Sequence, residues 1–120
     1  MATVNSATLE SSKTGGNILF QANVNMRFEA RELNSLWELR MSLWEDDYVN
    51  DDRLGSEIKT TFRPNSTTVN RQMAKRLSKS TVDTEWGDEE VYGKITLVPL
   101  ESPQPFKAAS AQTGIETINE

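Results

Sequence analysis

The sequence contains no cysteine and no histidine in 120 residues. Without cysteine there is no disulfide framework, no thiolate nucleophile and no zinc site of the cysteine kind, and the redox compartment stays open. Without histidine the chain lacks the side chain most used as a general base near neutral pH, and also the commonest nitrogen ligand for transition metals. Any bound metal then has to be a hard, oxygen-ligated cation such as calcium or magnesium.

Long apolar runs are missing as well. No stretch approaches the ~20 apolar residues of a membrane span. The opening "MATVNSATLESSKTGG" has neither the basic start nor the apolar block of a secretory signal. The expectation is a soluble, cytoplasmic chain, in which the triplet Asn65-Ser66-Thr67 is a coincidental glycosylation pattern. Cations are too few for duplex binding, with a net charge of −5. There is no glycine-rich phosphate loop and no nucleophile elbow, so no catalytic residue is assigned and an enzyme is not expected.

Alternation dominates what is present. Ile18, Phe20, Ala22, Val24, Met26, Phe28 and Ala30 fall on even numbers, with Gln21, Asn23, Asn25, Arg27 and Glu29 on the odd ones, the period of a half-buried strand. After the polar break "RELNS" the apolar set moves to odd numbers: Trp37, Leu39, Met41, Leu43. These two strands, joined by a short connection, are expected to pair antiparallel. A weaker alternation follows at Ile58, Thr60 and Phe62, and a secure one at Val91, Gly93, Ile95 and Leu97. The stretch "TTVNRQMAKRLSKSTV" has Val69, Met73 and Leu77 four apart, as on one helix face, while its Thr and Ser content suits an extended chain, so a short helix over about 69–79 is one of two readings. The expected architecture is all-β: a small antiparallel β-sandwich over 17–100, between a flexible arm at 1–16 and a flexible, proline-containing tail at 101–120.

Charge comes in blocks. Glu45, Asp46, Asp47, Asp51 and Asp52 form one acidic stretch, and Asp83, Glu85, Asp88, Glu89 and Glu90 a second. Between them, from Lys59 to Val82, stand six basic residues and no acid. Calcium takes six to eight oxygen ligands, so clustered carboxylates on neighbouring loops suit it. The stretch "LWEDDYVNDDRLG" does not follow the EF-hand pattern, because it lacks the glycine and the closing bidentate glutamate at the required positions.

The same stretch resembles the third calcium-binding loop of C2 domains. The matching residues are Leu43-Trp44, then Glu45 and Asp47, then Asp52, then Leu54-Gly55, about thirteen residues of the 120. The resemblance implies a C2-like or immunoglobulin-like sandwich and calcium as cofactor. Its implied ligands are Glu45, Asp47 and Asp52, with Asp83, Glu85 and Asp88 from the second acidic stretch as supplements. The leading acid is Glu rather than Asp, and the family's earlier acidic loop has no counterpart here. Acid-rich strand ends also occur simply as solvated rims that discourage aggregation.

Trp37 lies on the apolar face and is expected in the core, whereas Trp44 and Trp86 border the acidic stretches. With Arg71, Lys75 and Arg76 of the basic block they are the expected interface residues. Two functions compete: a non-enzymatic binding module whose acidic loops take calcium and contact a protein partner, and a self-assembling structural subunit joined through strand edges, charge blocks and terminal arms. Neither requires nucleic acid or a membrane span.

Overall fold

A computed structural model describes residues 1–46, 50–82, 88–101 and 106–118. The chain is an antiparallel all-β sandwich of two sheets. The first sheet has three strands in the order β1 (Thr3–Thr14), β2 (Asn17–Arg27), β5 (Thr68–Ser78). The second has five: β4 (Asp52–Phe62), β3 (Trp37–Glu45), β6 (Glu89–Pro99), then β7 (Ala109–Gln112) and β8 (Glu116–Ile118), which both pair with β6. No helix of the described residues is long and apolar enough to cross a membrane.

The core forms where the inward rows of the two sheets meet. Ile18, Phe20, Ala22, Val24 and Met26 line β2, and Trp37, Leu39, Met41 and Leu43 line β3, all buried as their alternation predicts. Phe28 packs edge-on against Trp37 with ring centroids 5.3 Å apart, so the two alternating runs meet in the core. They do not pair as strands, which corrects the expected hairpin. Residues 28–36 carry the chain from one sheet to the other through a 3-10 turn at Ala30–Glu32.

That crossover is pinned by Glu32, whose side chain is fully buried. Its carboxylate accepts hydrogen bonds from the N–H of Glu29 at 2.7 Å and of Ala2 at 3.0 Å, and the Met1 ammonium lies 3.7 Å away. A buried carboxylate is tolerable only with partners of this kind. The turn is thereby tied to the start of β1.

Two further expectations are corrected, and one open reading is decided. The first sixteen residues are not a flexible arm: β1 pairs with β2 over its length, turning through Gly15 and Gly16, with Gly15 at φ +60°. The stretch after Leu100 is not simply a tail, since β7 and β8 extend the second sheet and Phe106 stacks on Trp37. Residues 68–78 are a strand and not a helix; the adjoining helix, α1, spans only Lys79–Val82.

The ambiguity of β5 in the sequence has a specific cause. Its inward row reads Val69, Arg71, Met73, Lys75, Leu77, opposite Met26, Val24, Ala22, Phe20 and Ile18 of β2. Every second inward position is a cation, so the apolar residues recur every four. A helical spacing results from a period of two with alternate positions taken by long side chains that bend around the sheet edge into water.

Candidate functional site

The sandwich has two lateral seams where an edge of one sheet meets an edge of the other. At one, β1 packs against β7 and β8. Leu9 and Ile118 are buried there, and the Ser11 hydroxyl donates to Glu116 Oε1 at 2.9 Å. Thr113 joins β7 to β8: its N–H donates to the Gly93 carbonyl at 2.9 Å, and its hydroxyl accepts from the Gly93 N–H at 2.8 Å. The side-chain hydroxyl thus replaces a ladder bond where the outer strand is interrupted.

At the other seam β4 and β5 face each other as the last strands of their sheets, and no further strand pairs with either among the described residues. Three contacts bridge it. The Arg71 guanidinium sits 5.1 Å from the Phe62 ring centroid, Lys75 Nζ donates to Ser56 Oγ at 3.2 Å, and Leu77 lies against Gly55. Gly55 has φ +71°, and a Cβ there would stand 2.8 Å from Leu77 Cδ2. Glycine at this position satisfies both the backbone conformation and the close approach.

The β5 edge is defined by its hydrogen bonds. The Phe28 N–H donates to the Thr67 carbonyl and the Lys79 N–H to the Gly16 carbonyl, both at 2.8 Å, just beyond the two ends of the β2–β5 register. Bonded and non-bonded pairs alternate in an antiparallel ladder, so the odd-numbered residues of β5 bond to β2. The N–H and C=O groups of Thr68, Asn70, Gln72, Ala74, Arg76 and Ser78 therefore point away from the sheet. The register carries no bulge, and the strand contains no proline.

Of the expected interface residues, Arg71, Lys75 and Arg76 all lie on this strand. Arg71 and Lys75 arch over the seam, while Arg76 stands on the outer face in the row of Ser12 and Leu19. Arg53 and Lys59 on β4 are exposed, opposite Trp44 and Arg40 on the outer face of the second sheet. Among the described residues, Arg53, Lys59 and Arg76 make no ion pair. Trp44 is elsewhere, half-buried on the outer face of the second sheet. Its indole N–H donates to Ser42 Oγ at 2.9 Å, and Lys94 Nζ lies 4.0 Å from its ring centroid. Trp86 lies outside the described residues.

The two acidic stretches do come together. Glu45 stands opposite Val91, and the Asp46 N–H donates to the Glu90 carbonyl at 2.8 Å. Of the expected calcium ligands, Glu45 and Asp52 are cross-strand partners, the first buried and the second exposed. Asp88 is exposed just before β6, and Asp47, Asp83 and Glu85 lie outside the described residues. Among the described residues no three carboxylates gather as a metal-holding group. Asp51 instead accepts a short hydrogen bond from the Tyr92 hydroxyl. Burial, then this bond and the Asp51 charge, push the Tyr92 phenol up to about 12.

Sequence reasoning missed the β1–β2 hairpin, although Gly15-Gly16 between Thr14 and Asn17 is a two-residue turn signal. It also missed Glu32 and the outward backbone groups of β5. The latter have no sequence signal, because backbone is common to every residue.

No family model matches the chain, and no curated protein matches it. Among solved structures it is similar to the E. coli curli protein CsgC (SeCys), at 11% identity and a TM-score of 0.37, covering 89% of this chain and 95% of that one.

Proposed function

We propose that this protein is a non-enzymatic binding module that takes an extended segment of a protein partner along the outer edge of β5. The observation that carries this reading is the row of outward backbone groups over an eleven-residue, bulge-free strand. Such an edge supplies main-chain hydrogen bonds to an added strand, and flanking side chains select it. Amide NMR of the labelled protein with a pool of random extended peptides tests it. Shifts concentrated on Gln72, Ala74 and Arg76 support the reading, and shifts confined to other strands overturn it.

The second reading, a self-assembling subunit, is favoured by the presence of two such terminal strands, β4 and β5, at one seam. Light scattering after chromatography separates the two: a monomer at every concentration removes self-assembly. Among the described residues the calcium reading is carried by Glu45 and Asp52, which face each other across β3 and β4. Calorimetric titration of calcium into EDTA-treated protein tests that part, with heat and a raised melting temperature in its favour and silence against it.

A further inference from the structure

We infer that the segment received by β5 is acidic, an extended strand with carboxylates two or four residues apart, and not a second copy of β5. The inference rests on the strand-edge reading above. Arg71 and Lys75 are four residues apart on one face of β5 and Arg76 is on the other, so cations flank the outward backbone row on both sides.

Charges on an edge strand normally prevent pairing between copies. Here they do so selectively. Antiparallel pairing of β5 with β5 of another copy would gather Arg71, Lys75 and Arg76 twice over in one ribbon, and like charges opposite one another are destabilising. An incoming strand with carboxylates at the facing positions reverses that sign. The same three side chains then reject a copy and accept an acidic partner, which is how specificity arises from an edge whose backbone bonds would accept any strand.

Arg71 and Lys75 are placed for this exchange. Their present contacts, a ring face and a hydroxyl, are uncharged, so turning toward a carboxylate breaks no ion pair. The acidic rim formed by Asp46, Asp52 and Asp88 belongs to the connections at the ends of β3, β4 and β6, and not to the β5 row.

The test uses three synthetic ten-residue peptides of alternating valine and threonine: one with glutamate at three threonine positions, one unsubstituted and one with lysine at those positions. Binding is followed by fluorescence anisotropy on the full chain. The glutamate peptide is expected to bind about ten-fold or more tighter than the neutral one, and the lysine peptide not at all. Its affinity should fall with salt. In Arg71→Glu/Lys75→Glu the preference should reverse toward the lysine peptide. Ala74→Pro, which removes an outward N–H without touching a bond to β2, should lose all peptide binding with its melting curve retained, and Gln72→Pro is the second variant should the first fail to fold.

Equal binding of the neutral and acidic peptides overturns the acidic preference and leaves the edge reading standing. Undiminished binding of the acidic peptide to folded Ala74→Pro overturns the edge reading itself, since the contact would then be charge alone. No binding of any peptide overturns both.

Discussion

The two seams of this sandwich are closed by different means. Where β1 meets β7 and β8, the contact is apolar and doubly tied, with Leu9 and Ile118 buried, a hydroxyl–carboxylate bond between Ser11 and Glu116, and a split outer strand held by Thr113. Where β4 meets β5, a glycine allows one leucine to approach, and two cations cover the gap. Burying apolar area stabilises in proportion to that area, while an exposed cation over a ring or a hydroxyl contributes little. The first seam therefore serves stability. The second leaves a regular, bulge-free strand edge available at small cost, guarded by charge alone, and such an edge suits an added strand that answers those charges.

Truncations on opposite sides should differ accordingly. Leu9→Ala should lower stability by about 2–5 kcal/mol, as large-to-small changes at buried leucines do, measured by chemical denaturation. A loss well under that range would place the weight of the fold elsewhere than the β1 seam. Gly55→Ala at the other seam should cost about 1–3 kcal/mol through its positive φ and the approach of Leu77. Most of that should return when Leu77 is also shortened, unless the backbone conformation dominates; the double-mutant cycle separates the two. Arg71→Ala should cost only about 0.5–1 kcal/mol, a melting-temperature change of a few degrees at most. A larger drop would mean that the cation is structural cover and not a poised binding group.

Tyr92, on the outer face of β6, offers a control of a different kind, because its hydroxyl bonds to Asp51 and to neither seam. Its folded phenol is pushed up to about 12 from an ordinary 10.0. The folded state therefore keeps the proton while the unfolded chain loses it, so the Tyr92 contribution to stability should be constant below pH 10 and be lost as pH rises through 10 toward 12. Tyr92→Phe should remove that slope with only a modest change at neutral pH. Alkaline unfolding curves of the two proteins compare it directly, and an unchanged slope in the variant would detach the phenol from the alkaline transition.

Legibility in the sequence followed the physics of each element. β2 and β3 were readable because their strict alternation places one complete row of side chains in the core. β5 was ambiguous because Arg71 and Lys75 occupy inward positions at an edge, where a long side chain reaches water around the strand. The pairing of β2 with β3 was misassigned because a nine-residue connection from Phe28 to Leu36 suits a crossover between sheets as well as a turn within one. At the candidate site the cations Arg71, Lys75 and Arg76 were visible as a block. The feature that gives them a role, the direction of the backbone groups between them, was not.

Composition and period by themselves determined an all-β chain with buried alternating rows, charge in blocks and neither histidine nor cysteine, because burial on a sheet enforces a period of two and absent side chains cannot act. Tertiary structure alone decided which strands end their sheets. Strand order depends on how crossovers stack one sheet on another, and that packing sets β5 against β4 across a glycine and two cations while β1 packs against β7 and β8 from the far end of the chain.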